Sequence, residues 1–127
     1  MKKQSSPSLT RKKVLIVEDE GDMCLLLNIL LDEKSIELDH VKSLEKAVDY
    51  LLITQPSVII LDNKLPDGFG INLLAYVKKM YPEIKIIMIS GYDVSVRDAA
   101  METGADDFIE KPFNIEYMLQ KVAKHVH

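Results

Sequence analysis

Short apolar runs that alternate with segments of helical period constrain the fold of this chain most strongly. Val14-Leu15-Ile16-Val17, Val58-Ile59-Ile60-Leu61 and Ile86-Ile87-Met88-Ile89 are each too short for a helix and end in a polar residue. They are rich in β-branched side chains and carry no polar face. A strand of that kind must be covered on both sides, as in the centre of a parallel sheet. Ile36–Val41 alternates apolar with polar and reads as a half-exposed edge strand, and Phe108-Ile109 is a shorter fifth strand.

Between the runs the period changes. Leu44, Ala47, Val48, Leu51 and Leu52 follow one helical stripe, with Ser43 placed to cap it. Met23, Leu26, Leu27, Leu30 and Leu31 form a second stripe, and Ile115, Met118, Leu119, Val122, Ala123 and Val126 a third. Residues 70–81 read as a helix closed by Pro82. Residues 94–103 carry only a thin face of Val96, Ala99 and Ala100, with Gly104 as C-terminal cap. A strand and a helix repeated five times, joined by right-handed crossovers, predict an α/β fold. The expected form is a flavodoxin-like, doubly wound five-stranded parallel sheet of order 2-1-3-4-5 with five helices.

Charge divides the chain. It holds 16 Lys+Arg against 20 Asp+Glu, for a net charge of −4 over 127 residues. The first 13 residues hold five bases (Lys2, Lys3, Arg11, Lys12, Lys13) and no acid, which leaves 11 bases against 20 acids, a charge of −9, on residues 14–127. We therefore expect a basic flexible tail over 1–12 and one domain over 13–127. So acidic a body repels phosphate backbones, so no direct nucleic-acid binding is expected of it. A single cysteine, Cys24, excludes an internal disulfide and fits a reducing compartment. Within an apolar helical pattern it reads as a small core hydrophobe. There is no signal-peptide core and no apolar run long enough to cross a membrane, so the expected location is cytoplasmic.

The topology also predicts where function lies, since open α/β sheets bind ligands beyond the carboxyl ends of their strands. Glu18, Asp19 and Glu20 follow the first strand, Asp62 the third, Ser90-Gly91 the fourth and Lys111-Pro112 the fifth. Singly these are a cap, a turn, a loop serine and a solvated lysine. Together they crowd Glu18, Asp19 and Asp62, whose like charges call for a cation. An all-oxygen cluster suits a hard ion, Mg2+ with Mn2+ as alternative, and leaves room for a phosphoryl oxygen. Lys111 supplies a positive charge and Ser90 a donor. Asp62 stands alone on the most central strand, so it is the candidate phosphoacceptor, its oxygen attacking phosphorus to form an acyl phosphate. An aspartyl-phosphate phosphatase would want a second Asp two residues after the nucleophile, where this chain has Lys64. A flavodoxin-like cofactor binder would want a phosphate loop where Glu-Asp-Glu stands.

The segments VLIVEDE (14–20), VIILDNKLPDGFG (58–70), MISGY (88–92) and GADDFIEKPF (104–113) carry a resemblance to the receiver domain of bacterial two-component response regulators. It extends from residue 13 to about residue 125. The resemblance implies that Asp62 takes a phosphoryl group from a histidine kinase or histidine phosphotransfer protein. It implies Asp19 as a direct metal ligand, Glu18 acting through water, and Lys64 lending its backbone carbonyl. Ser90 takes the hydroxyl position, Lys111 the lysine position with a cis bond to Pro112, and Phe108 the aromatic switch position. Glu18 stands where Asp is usual, Phe108 where Tyr is common, Ser90 for Thr, and Asn63 where an aliphatic residue is usual.

Phosphorylation would add about −1.5 to −2 charge at Asp62. That charge would draw Ser90 and Lys111 inward and open space for Phe108, changing the surface of residues 92–103 and the last helix. The expected function is therefore a phosphorylation-dependent switch, not an enzyme, that acts on an output domain or downstream protein. Its fourth and fifth units are a candidate dimer surface. The alternatives are a phosphorylation-independent receiver-like interaction module and the phosphatase. His40, His125 and His127 are assigned to the surface, Asp106 and Asp107 to the solvated approach to the fifth strand, and Asp67-Gly68 to a turn.

Overall fold

Each apolar run becomes a strand. The structure, a computed structural model, describes residues 11–21, 23–91 and 93–127. Residues 1–10 of the tail expected over 1–12 fall outside the described residues, as does Tyr92, while Lys12 pairs with Ile36 in the sheet and Arg11 bonds Asp32 at 2.9 Å, so these two do not belong to a tail. Strands β1 (Lys12–Val17), β2 (Ile36–Val41), β3 (Val58–Asp62), β4 (Lys85–Ser90) and β5 (Asp107–Glu110) form one parallel sheet in the order β2-β1-β3-β4-β5. Helices α1 (Cys24–Asp32), α2 (Leu44–Ile53), α3 (Gly70–Met80), α4 (Val94–Thr103) and α5 (Ile115–Val126) alternate with them. This is the expected flavodoxin-like order, with the alternating strand β2 at an edge. Among the described residues no helix is long and apolar enough to cross a membrane.

The central strands are apolar on both faces because both faces are covered. Neighbours in one strand go to different cores. Leu15, Ile59, Leu61, Ile86 and Met88 pack with Leu51, Leu74 and Val77 of α2 and α3. Val14, Ile16, Ile60, Ile87 and Ile89 pack with Leu27 and Leu31 of α1 and Met118 and Val122 of α5. Each such fully buried aliphatic side chain contributes roughly 1.5–3 kcal/mol relative to an exposed one. Register brings the strand ends level: Val17 pairs Leu61, and Asp62 pairs Ile89.

The helical stripes are narrower than the sequence suggests. Leu26 is 48% exposed and Leu52 is 71% exposed, so α1 buries only Leu27 and Leu31, and α2 only Ala47 and Leu51. The caps form where expected. Ser43 accepts a hydrogen bond from Lys46 N, and Gly104 ends α4 at φ 119°. Asp93 adds a cap on α4, accepting from Ser95 N and Val96 N.

Two aspartates expected in solvent are instead bonded into the fold. Asp106 accepts from Lys78 Nζ at 2.7 Å and Ile86 N at 2.8 Å, tying α3 to the start of β4. Asp107 bonds His125 Nε2 at 2.9 Å and Lys121 Nζ at 3.2 Å, tying β5 to α5. His125 is accordingly half-buried and not a surface residue. Burial works against the Asp107 carboxylate, but hydrogen bonds from His125, Phe108 N and Lys121 outweigh it and hold its pKa below the ordinary value.

The loop after β3 holds a short antiparallel ribbon, Lys64–Leu65 against Gly68–Phe69, that the apolar pattern does not announce. Gly68 takes φ 147° in its turn. Asp67 does more than turn the chain: its two carboxylate oxygens accept from Leu44 N and Glu45 N at 2.9 and 3.0 Å, capping α2 from outside.

Candidate functional site

Asp62 ends β3 with only 6% of its surface exposed. Lys111 Nζ donates to Asp62 Oδ2 at 2.8 Å, and Lys64 N donates to Oδ1 at 3.3 Å. Lys111 is brought there by the loop after β5, where its N–H donates to Ser90 O at 2.7 Å and the bond to Pro112 is cis. Ser90, at the end of β4, is 8% exposed. These groups open on a polar cavity of about 390 Å³ lined also by Asp19, Glu20, Asn63, Lys64, Gly91, Asp93 and Val96. Asp19, Asp62, Ser90 and Lys111, which end or follow four different strands, thus line one cavity.

Glu18 departs from this arrangement. It is 6% exposed but does not line the cavity. Its Oε1 accepts a hydrogen bond from Cys24 Sγ at 3.4 Å, and its backbone carbonyl accepts from His40 Nε2 at 2.8 Å. His40 is thus half-buried and bonded, not a surface residue. Burial pushes the Glu18 pKa up; the Cys24 hydrogen bond, His40 and Lys111 oppose this, and the charge of Asp62 adds to it. Burial and the same carboxylate push the Cys24 thiol up to about 12. Asp19, Glu20 and Asp62 line the cavity, whereas Glu18 does not, though it lies near enough to feel the charges of Asp62 and Lys111. Glu20 joins Asp19 on the cavity wall, as its place in the Glu-Asp-Glu run after the first strand allows.

Asn63, polar where an aliphatic residue is usual, has a local explanation. Its N–H donates to Ile89 O, its carbonyl accepts from Gly70 N at 2.8 Å, and its Oδ1 accepts from Ile71 N at 3.2 Å. The residue before α3, Phe69, offers no side-chain cap, so Asn63 fills that role from the end of β3. Gly70 is needed beside it, because a Cβ there would overlap the Asp62 carbonyl oxygen and sit 3.1 Å from Leu61 Cγ.

Phe108 is half-buried and packs against the core on the α2–α3 side of the sheet. Its other side lines a more open hollow with Arg97, Glu110, Pro112, Phe113, Asn114 and Tyr117. The aromatic ring thus stands between β5 and the surface of the fourth and fifth units. Ser90, one strand away, lies in the neighbouring register, since Ser90 pairs Glu110.

The sequence profile of the response regulator receiver domain matches residues 14–123. The chain is 30% identical over 118 residues to the response regulator protein PilR of Pseudomonas aeruginosa, covering 91% of this chain and 26% of that protein. It is 29% identical over 114 residues to the phosphate regulon transcriptional regulatory protein PhoB of Escherichia coli, covering 87% of this chain and 50% of that protein. It thus spans a quarter to a half of these relatives. A CheY-like response regulator receiver domain protein from Methanospirillum hungatei superposes with a TM-score of 0.85 at 26% identity, covering 92% of this chain and 94% of that one.

Proposed function

The chain belongs to the response regulator receiver domain family of two-component signalling, and on that premise we propose that Asp62 is its phosphoacceptor. The observation that carries the reading is a buried carboxylate at the tip of the central strand, held at 2.8 Å by Lys111 and open to a polar cavity. An Asp62 oxygen attacks phosphorus, the bond from phosphorus to the donor's imidazole nitrogen breaks, and the imidazole leaves with the electron pair and takes up a proton. Lys111 orients the carboxylate beforehand and offsets charge on the phosphoryl oxygens afterwards. Ser90 offers its hydroxyl on the same side.

The donor set suits a hard divalent ion. Apart from Val96 and the backbone of Gly91, every side chain on the cavity beside Asp62 offers oxygen or carries positive charge, with no His or Cys among them. Asp19, Asp62 and the Lys64 backbone carbonyl would hold Mg2+ (or Mn2+), with Glu18 or Glu20 acting through water. The bound ion would offset charge on the transferring phosphoryl oxygens.

The phosphoryl donor is a histidine kinase or a histidine phosphotransfer protein. The switch runs through Ser90 and Lys111, which close on the phosphoryl group, and Phe108, which turns into the space they leave. The output domain or downstream protein reads the altered surface of α4, β5 and α5, which also offers a surface for dimerisation. The location is cytoplasmic. Arg11 and Lys12 belong with the domain, since Lys12 pairs with Ile36 in the sheet and Arg11 bonds Asp32. Acetyl phosphate tests the reaction: uptake should occur with Mg2+, fail with chelator and fail in Asp62→Asn. Equal uptake by Asp62→Asn would overturn the assignment.

A further inference from the structure

The fold gathers a carboxylate, a thiol and an imidazole at one point beside the phosphoryl site. One donor atom from each of Glu18, Cys24 and His40 lies within 4.8 Å of the other two, and among the described residues no other trio of such side chains does so. The three come from the end of β1, the first turn of α1 and β2, so no spacing in the sequence announces them. Glu18 is almost fully buried, and Cys24 and His40 are half-buried.

We infer that Glu18, Cys24 and His40 form a second cation site, for a thiophilic divalent ion such as Zn2+, that competes with the phosphoryl site for Glu18. One sulfur, one nitrogen and one oxygen make a borderline-soft donor set, which Mg2+ does not choose and Zn2+ does. Bonds of about 2.0–2.3 Å in a tetrahedral site place ligands about 3.3–3.8 Å apart, so the trio needs to close by about an ångström, with water as fourth ligand. Cys24 gives up its thiol proton to solvent on binding. The hydrogen bond from His40 Nε2 to the Glu18 carbonyl holds the ring beside Glu18, and a neutral imidazole bonded in that way would bind the ion through Nδ1. An ion held there keeps Glu18 turned away from Asp19 and Asp62. This consequence, unlike the site itself, rests on the reading of Asp62 as a Mg2+-dependent phosphoacceptor.

Co2+ is the probe, because a cobalt–thiolate bond gives a charge-transfer band in the near ultraviolet. The chain under a phosphine reductant should bind one Co2+ with that band. Cys24→Ser should abolish the band, His40→Gln should weaken binding at least tenfold, and Asp62→Asn should leave it intact. No thiolate band, or a band of equal affinity in His40→Gln, overturns the site. Zn2+ should slow Mg2+-dependent phosphoryl uptake by the parent several-fold and leave Cys24→Ser unaffected. Equal slowing of both overturns the competition. If Asp62→Asn still takes up phosphoryl groups, the phosphoacceptor reading fails while the cobalt band still decides the site.

Discussion

Replacing Gly70 by alanine tests how tightly the phosphoacceptor strand is joined to α3. The added methyl overlaps a backbone carbonyl, that of Asp62, and no side-chain rotation can relieve it. The first turn of α3 must retreat, which strains two hydrogen bonds: Gly70 N to Asn63 O at 2.8 Å and Ile71 N to Asn63 Oδ1 at 3.2 Å. Each is worth about 1 kcal/mol. Overpacking against Asp62 and Leu61 adds about 1–3 kcal/mol, and the better helix propensity of alanine returns about 1 kcal/mol. The net cost is about 2–4 kcal/mol, out of about 5–15 for a domain.

For a chain of this size each kcal/mol lowers the midpoint by about 3–5 °C, so thermal unfolding should show a fall of at least about 6 °C. Gly21→Ala is the control, because a Cβ there meets nothing within 4 Å. It should change stability by less than about 0.5 kcal/mol. The same shift moves the backbone that carries Asp62, so phosphoryl uptake by Gly70→Ala should also slow at temperatures where it remains folded. A Gly70→Ala midpoint equal to that of Gly21→Ala would refute the reasoning.

Three further outcomes follow from named contacts. Lys111→Met removes the cation at Asp62 and should slow phosphoryl uptake by about 10²–10³-fold, by analogy with losing one charge-stabilising donor, while circular dichroism stays unchanged. Glu18→Gln should stabilise the metal-free chain at neutral pH. The folded pKa of Glu18 is raised, so its ionisation opposes folding once pH exceeds the ordinary carboxylate value, and the gain from Gln should vanish below that value in urea melts. Asp107→Asn has the opposite sign. The Asp107 pKa is lowered, so its contribution is present above the ordinary value and is lost as pH falls through the folded one. The substitution should cost about 1–3 kcal/mol at neutral pH and almost nothing in acid.

What the sequence reveals depends on whether the deciding contact is local. β1, β3 and β4 were legible because burial on both faces leaves a continuous apolar run, and β2 because an edge strand keeps a wet face. The strand-end rule then placed Asp19, Asp62, Ser90 and Lys111 around one cavity without reference to any contact. Leu26 and Leu52 fit their stripes equally well, yet each stands about 100° round the helix from its buried neighbour, Leu27 or Leu51, and faces outward. The direction of Glu18 was not legible, since a flexible side chain chooses between Asp62 and Cys24 by tertiary packing. Asp106 and Asp107 likewise depend on Lys78 and His125, which lie 28 and 18 residues away in the chain.

The central claim is that one carboxylate, Asp62, becomes the acyl phosphate. After phosphorylation with acetyl phosphate and Mg2+, borohydride reduces an aspartyl phosphate to homoserine, and peptide mass spectrometry locates the altered residue. Homoserine is expected at position 62 alone, dependent on Mg2+ and absent in the chelator control. Homoserine at position 19, or a chain unaltered at position 62 after measured phosphoryl uptake, would contradict it.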